Sequence, residues 1–339
     1  DVGLIMFPLT ELGTYADLTT YPEYGFSNPL AIEFGFWGFL LWGFYFLTCF
    51  YFCLIEPKVQ FFELKPVKFL NNIVIIGTCA FTAYLLLSNL SWYMPSVVTG
   101  SGGNLIFFAI VFAVIGIATF SSMELKYVRI LSLASSGLFV CLIILLGLNA
   151  AANGMLLSQF LETFSLIGGY FTHIDQFVLP INAYHEFYLY WWFAWSIMIG
   201  QFTARFVGGL KTYQVFAAMV IVPSIPIALW FTVLYYHHAN DLSIDGLLNG
   251  AMVFVGITFV INSLDSLIRL YTDNLNLTVM RFGRLRYWLG NFAVLGLLTL
   301  AFQGDFLEIQ WVGAVVIALY FACFLYILGN KRQTLRSLK

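Results

Sequence analysis

Apolar residues fill this chain in long stretches, and polar residues collect in the short segments between them. A helix of about 17 to 25 apolar residues can cross the hydrocarbon core of a bilayer. The pattern therefore predicts nine membrane-spanning helices, at about residues 31–55, 70–95, 104–121, 128–149, 183–206, 213–236, 247–270, 286–302 and 309–329. Ahead of them, Val2–Tyr15 is apolar for only about eight residues before Pro8 and Glu11, which predicts a half-span.

The Lys and Arg residues support this count. All 15 lie at or beyond the same ends of the predicted spans, and the alternate loops (96–103, 150–182, 237–246 and 303–308) contain none. Because basic residues collect on the cytoplasmic side of a membrane protein, this split places the C-terminus in the cytoplasm of a bacterium. For a mitochondrial inner-membrane protein it would lie in the matrix.

The long loop 150–182 contains apolar residues at helical spacing and few charges. That pattern predicts an amphipathic helix lying at the outer membrane interface. The sequence begins with Asp1 and has no signal-peptide pattern, so the N-terminus is either processed or internal to a longer protein.

Composition agrees with an all-α polytopic membrane protein. Hydrophobic residues make up 61% of the chain and charged residues only 9%, which excludes a soluble globular domain, where about 25% is charged. The net charge of -2 gives no reason to expect nucleic acid as a partner. Five cysteines lie in apolar stretches without metal-type spacing, and we predict buried thiols at Cys49, Cys53, Cys79, Cys141 and Cys323.

No enzyme motif is visible, so the sequence predicts neither catalysis nor a cofactor. His237 and His238 stand near Asp241. Neighbouring histidines on a helix point in different directions, so a metal site there is not favoured.

Large aromatic residues cluster in two predicted spans. Residues 188–209 read YLYWWFAWSIMIGQFTARFVGG, and on a helix Trp191, Trp192 and Trp195 lie on one side. In the first full span, Trp42 and Tyr45 lie about 140° and about 80° around the helix from Trp37, so that these three share roughly half of its circumference.

These two aromatic faces predict a box for a quaternary ammonium ion, which ring quadrupoles attract. Tryptophan is otherwise a costly lipid-facing residue, because its N–H needs an acceptor. The alternative is an interfacial aromatic belt. A belt accounts well for Trp92, Tyr93 and Trp288 near span ends, and less well for Trp42 and Trp195 nearer mid-span.

Polar residues inside two other spans are candidate ion ligands. Thr78 and Thr82 stand four residues apart and could offer hydroxyl oxygens to Na⁺, although such threonines often bond to the carbonyl four residues earlier. The segment NSLDS contains Asn262, Ser263 and Asp265 at membrane depth, where polar residues usually face the protein interior. Asp265 could instead pair with Arg269, one turn later.

With these motifs the sequence resembles the betaine/carnitine/choline transporter family. The stretch 188–209 is similar to the family's paired tryptophans, third tryptophan and G-x-F-x-A-R run. Trp37, Trp42 and Tyr45 match its W-x4-W-x2-Y, Thr78 and Thr82 its paired threonines, and FVINSLDS its F-x-x-T-S-A-D-S.

The resemblance implies an inverted five-helix-repeat, leucine-transporter-like fold lacking the first spans, with the substrate between the repeats. It divides the chain into five parts: a partial helix and outer loop (1–30), the rest of repeat one (31–149), an interfacial segment (150–182), repeat two (183–330) and a tail (331–339). It further implies a substrate cage of Trp37, Trp42, Tyr45, Trp191, Trp192 and Trp195.

In family terms, Thr78 with Thr82 and Asn262 with Ser263 would form two sodium sites. The implied function is secondary transport of a betaine, choline or carnitine by alternating access, driven by sodium or by exchange. A homo-oligomer, such as a trimer, is also implied. Several departures stand against this. The family's glycine-rich stretch is reduced to Gly3 or absent. The threonine of the family's T-S-A-D-S motif is Asn262 in this chain, and the proline that follows the third tryptophan in the family is Ile197. These departures keep open an alternative, a transport-inactive homologue that serves as a structural subunit among partner subunits of a larger membrane complex.

Overall fold

The computed structural model describes residues 2–95 and 103–331 of the chain. About 83% of the structure is helical, and the described ranges contain no strand. Most of the predicted tail and of the loop 96–103 lies outside the described residues.

Helices follow one another with short connections. In the first part of the chain they are α1 (Val2–Met6), α2 (Pro8–Ala16), α3 (Pro29–Trp37), α4 (Phe39–Phe50), α5 (Glu56–Val59), α6 (Lys65–Tyr93), α7 (Gly103–Ser121), α8 (Leu125–Ala152), α9 (Leu157–Ser165) and α10 (Gly168–Thr172). The second part contains α11 (Ala183–Ala204), α12 (Thr212–Phe216), α13 (Val222–Ala239), α14 (Leu247–Asn274), α15 (Val279–Phe282), α16 (Arg284–Gln303) and α17 (Ile309–Tyr326). Single π-helical turns join α4 to α5 and α12 to α13.

Each of the nine predicted spans coincides with a helix or a nearly continuous pair of helices. Seven of these are long and apolar enough to cross a membrane. The other two are α7, whose apolar part is Leu105–Ser121, and α11, which is rich in tyrosine and tryptophan. The protein is therefore an integral, multi-pass helical membrane protein.

Two ion pairs connect helix ends that carry arginine. Arg205, just beyond α11, lies 3.6 Å from Asp273 in the last turn of α14. Arg284, at the start of α16, pairs with Glu124 at the start of α8 at 2.5 Å. These contacts join four chain segments that the Lys/Arg pattern assigns to the same side.

The predicted half-span forms two short helices in the core. Pro8 lacks an N–H and breaks the helix at Phe7. Carbonyl groups freed near this break accept hydrogen bonds from other helices: Trp230 Nε1 donates to Leu4 O at 2.9 Å and the Tyr93 hydroxyl to Met6 O at 2.5 Å. Buried backbone groups without water need such partners. These two hydrogen bonds therefore hold the end of α1 in the bundle.

The first full span is interrupted between its two tryptophans. Gly38 lies between α3 and α4 with φ -90° and ψ -146°, outside the helical region. The angular positions predicted for Trp42 and Tyr45 relative to Trp37 assumed one unbroken helix and are therefore wrong. The N–H of Leu40, freed by the break, donates to the hydroxyl of Tyr170 at 3.0 Å.

The segment predicted as an interfacial helix consists of several pieces. It contains α9, α10 and a 3₁₀ turn at Ile174–Phe177. Most of α9 is exposed, whereas Tyr170 and Phe177 are buried. Phe177 packs so closely on Gly35 of α3 that any side chain at Gly35 would collide with its ring.

Asparagine side chains fix where α3 and α11 begin. Asn28 accepts a hydrogen bond from Ala31 N at 3.0 Å, and Asn182 accepts one from His185 N at 3.1 Å. Asn182 also donates to Glu23, and this hydrogen bond lowers the pKa of the exposed Glu23 carboxyl group.

Replacing Asn28 by alanine is expected to lower the free energy of unfolding by about 1–2 kcal/mol. The change removes the cap of α3 and the bond that the Asn28 amide donates to Leu166 O at 2.9 Å. Thermal unfolding in detergent measures the loss. The control is Asn153→Ala, because Asn153 is exposed and bonds only within its own helix end. Equal melting temperatures for the two variants would contradict the assigned role of Asn28.

The prediction of five buried thiols is wrong in two cases. Cys49, Cys79 and Cys323 are buried, Cys53 is half-buried and Cys141 on α8 is exposed. An apolar stretch does not distinguish a residue facing the protein core from one facing lipid, since both surroundings are apolar.

Candidate functional site

The predicted cage lies on the span formed by α3 and α4 and on α11, and α4 packs directly against α11. Thr48 donates a hydrogen bond to Ser196 O at 3.0 Å. Gly200 allows this approach, because a Cβ there would lie 2.9 Å from the backbone carbon of Thr48. Their aromatic faces are thereby brought into one region of the bundle.

Trp37 and Trp191 meet at the centre of this region. Their rings are perpendicular, with centroids 5.6 Å apart. Gly3 of α1 lies against both, and a Cβ on Gly3 would approach each indole to 2.8 Å. Phe7 packs on Trp191 with centroids 6.2 Å apart. In this conformation the two indoles pack against each other, and α1 packs against both of them.

Trp192 is the next residue of α11 and lies about 100° around the helix from Trp191. Its ring lies 5.5 Å from that of Phe36. It also lines an open, largely apolar groove of about 540 Å³, together with Phe39, Phe44 and Phe193. Trp192 therefore borders a different space from the one between Trp37 and Trp191.

Of the remaining predicted cage residues, Trp42 and Tyr45 lie on α4 beyond the break at Gly38, and Trp195 lies on α11. Trp42 and Tyr45 contact each other edge to face at 5.7 Å, and the indole of Trp42 donates to Trp37 O at 3.0 Å. Trp195 is buried, and no ring–ring contact in the described residues includes it. The structure thus joins Trp37 to Trp191, and Trp42 to Tyr45.

Four indole N–H groups of this region are buried without a hydrogen-bond partner among the described residues. They belong to Trp37, Trp191, Trp192 and Trp195. An unpaired buried donor costs about 1–3 kcal/mol, and tryptophans in a core usually pair this group.

The paired threonines bond to their own helix. Thr78 donates to Val74 O and Thr82 to Thr78 O, each at 2.9 Å, which is the alternative that the sequence left open. A third buried threonine, Thr299 of α16, lies beside them and donates to Ala80 O at 3.3 Å. Sequence reasoning missed Thr299, because a lone threonine in an apolar span gives no signal.

The polar residues of NSLDS face different neighbours. Asn262 accepts a hydrogen bond from Ser132 of α8 at 2.8 Å, and Ser263 beside it is half-buried. Asp265 is fully buried and accepts a bond from Ser121 at 2.6 Å. Arg269, its suggested partner, instead lies 3.8 Å from Asp273, so the predicted Asp265–Arg269 pair is wrong.

Two glutamates beside the aromatic region were not among the predicted site residues. Glu11 and Glu33 are 4% and 0% exposed. Glu11 accepts hydrogen bonds from Tyr184 and from Tyr188, the latter at 2.5 Å. The signal was visible in the sequence, since Glu33 is an acidic residue within an apolar span.

The histidine pair has a structural role. His237 contacts Val233 O through Nδ1 and the Asn149 side chain through Nε2, at 2.8 and 3.1 Å. Within the described residues, no group of three or more His, Cys, Asp or Glu is placed to hold a metal ion.

Curated proteins of similar sequence are named as transporters. The chain is 27% identical over 121 residues to uncharacterized transporters of Mycobacterium tuberculosis and Mycobacterium bovis, a match that covers 33% of this chain and 19% of each relative. It is 29% identical over 137 residues to an uncharacterized transporter of Haemophilus influenzae, covering 37% of this chain and 20% of that protein. The protein is a relative of membrane transporters. The match spans about a fifth of the length of these relatives, and no family model matches the chain.

Proposed function

We propose that this transporter homologue is a secondary transporter of quaternary-ammonium compounds, of the betaine/carnitine/choline type. The observation that carries the proposal is the meeting of Trp37 and Trp191, from two separate spans, with unpaired indole N–H groups around them. Ring faces attract a trimethylammonium group, which has no hydrogen to donate. The resemblance of the surrounding motifs to that family supports the same substrate class.

The unpaired indole donors favour a zwitterion over a simple cation. A carboxylate on the ligand would accept the N–H bonds that the described residues leave unmade. Betaine and carnitine carry both groups, whereas choline carries no carboxylate. We therefore rank glycine betaine and carnitine ahead of choline.

Substrate entry requires the indoles to separate, because Gly3 and Phe7 of α1 lie against them in this conformation. In the proposed alternating-access cycle, α1 moves away from Trp37 and Trp191 to admit the ligand and returns to enclose it. Sodium ions are proposed to bind at Thr78 with Thr82 and at Asn262 with Ser263. The C-terminus is proposed to lie in the cytoplasm or in the matrix. The protein is proposed to form a homo-oligomer.

A second candidate function is a transport-inactive structural subunit of a larger membrane complex. It is favoured by the same close contact, since Gly3, Trp37 and Trp191 already fill the space between the two spans. A protein with this role would keep the helical scaffold and bind no small molecule at the indoles.

The decisive experiment is a titration of the purified full chain in lipid nanodiscs with glycine betaine, carnitine and choline. We expect a saturable change in tryptophan fluorescence, strongest for the two zwitterions and dependent on sodium. Glycine, which lacks the methyl groups, serves as the control ligand. A chain that responds to none of the three compounds, and purifies only together with other subunits, would favour the structural role.

A further inference from the structure

Glu11 of α2 and Glu33 of α3 place two carboxyl groups side by side in the protein interior. The Glu33 carboxyl group faces that of Glu11, the hydroxyl of Tyr15 and the indole of Trp37. Neither oxygen of Glu33 makes a hydrogen bond, and one oxygen of Glu11 makes none. The hydroxyl of Tyr15, which is 1% exposed, also faces the pair without a hydrogen-bond partner.

Among the described residues, no Lys or Arg acts on this pair, and its surroundings contain tyrosine and histidine side chains. The titratable groups that face the pair or contact its helices include Tyr15, Tyr24, Tyr93, Tyr184, His185, Tyr188 and His238. The neighbouring helices α11 and α13 also carry Glu186, Tyr190, Tyr235, Tyr236 and His237. No salt bridge in the described residues includes Glu11 or Glu33. All 15 Lys and Arg lie in segments that the sequence assigns to the other side of the membrane.

Two adjacent buried carboxyl groups cannot both be ionised. Unit charges about 4 Å apart repel by about 4 kcal/mol even at an effective dielectric constant of 20, and burial penalises each charge further. The two groups therefore titrate as a unit that holds at least one proton. A carboxylic acid O–H then supplies the hydrogen bond that Glu33 otherwise lacks.

We propose that Glu11 and Glu33 form a proton-binding site that couples proton uptake to the indole cluster. This inference rests on the proposed transport function, and it names H⁺ as a coupling ion. A metal cation fits this site less well than a proton, because the pair is surrounded by donors: the Tyr184 and Tyr188 hydroxyls and the Trp37 N–H.

Tyr188 connects the two sites physically. Its hydroxyl donates to Glu11, while its ring packs against Trp37 and Trp191 with centroids 5.8 and 5.9 Å away. Uptake of a second proton neutralises the pair and weakens the pull of Glu11 on the Tyr188 hydroxyl. Because Tyr188 contacts both indoles, a change in the protonation of Glu11 and Glu33 alters the packing of Trp37 against Trp191.

The test is a pH titration of tryptophan fluorescence for the full chain in nanodiscs, without any substrate. We expect a reversible transition in the unaltered protein, since Trp37 lies beside the pair. The transition is lost in Glu33→Gln and in Glu11→Gln, which keep the shape of a protonated carboxyl group. Glu162→Gln, which alters an exposed carboxylate on α9, should leave it unchanged, and His185→Gln separates any contribution from the neighbouring imidazole.

The same variants are then titrated with glycine betaine at several pH values. Binding that depends on pH in the unaltered protein and becomes pH-independent in Glu33→Gln supports coupling. A pH-dependent fluorescence transition in a protein that does not bind betaine would support the proton site and contradict the proposed substrate. A protein with no transition, or one whose transition survives in both folded glutamine variants, overturns the inference. So does a response to sodium in place of pH.

Discussion

Replacing Trp191 by leucine is expected to weaken glycine betaine binding about 30-fold. A desolvated cation–π contact contributes about 2 kcal/mol, and 1.4 kcal/mol corresponds to a factor of ten. Trp191 is the residue through which α11 contacts Trp37, Phe7 and Gly3 at once. Its loss therefore removes one ring of the proposed site and loosens the others. Isothermal titration of the protein in nanodiscs measures the change.

The matched control is Trp92→Leu, because Trp92 is half-exposed near the end of α6. It should bind glycine betaine as tightly as the unaltered protein. Thermal unfolding of both variants separates a binding defect from a folding defect. An unchanged dissociation constant in a folded Trp191→Leu protein would exclude Trp191 from the substrate site.

Replacing Gly313 by alanine is expected to lower the free energy of unfolding by about 1–3 kcal/mol. Gly313 lies where α17 crosses α11, and a Cβ there would lie 2.6 Å from Tyr190 O and 2.8 Å from Tyr190 Cα. Both atoms belong to a helix backbone, so the added methyl group cannot be accommodated by a side-chain rotation. The two helices must separate instead, and the melting temperature in detergent falls.

Gly290→Ala is the comparison for this substitution. Gly290 also lies inside a long helix, but a Cβ there would meet nothing within 4 Å. Since alanine favours a helix over glycine by up to about 1 kcal/mol, this variant should be as stable as the parent or slightly more so. If both variants melt at the same temperature, the close crossing at Gly313 does not limit stability.

The sequence predicted the membrane-spanning elements well because their signal is local. Length and apolar character place each span, and all nine predicted positions contain helices. The break at Gly38 could not be predicted in this way. Gly35, Gly38 and Gly43 look alike in the sequence, and the chain breaks where the hydroxyl of Tyr170, 130 residues away from Leu40, accepts a hydrogen bond from the Leu40 N–H.

The candidate site was predictable in its chemistry and only partly in its geometry. The residue types indicated an aromatic site, and Trp37 and Trp191 from two spans do meet. The break at Gly38 changes how Trp42 is placed relative to Trp37, whose carbonyl accepts a hydrogen bond from the Trp42 indole, and helix periodicity could not show this. Glu33 was not predicted as a site residue, although it is an acidic residue within an apolar span, and its neighbour Glu11 is 22 positions away, so only the fold brings them together. The assignment of the substrate and sodium residues stays a prediction.

Cys141 on α8 has a practical consequence. It is the exposed thiol among five cysteines, in the interior of a helix long and apolar enough to cross the membrane. A maleimide that dissolves in lipid should label it first, leaving the three buried thiols untouched. The natural chain thus carries its own attachment point for a fluorescent or spin probe, and quenchers placed at known bilayer depths would then measure how α8 is immersed.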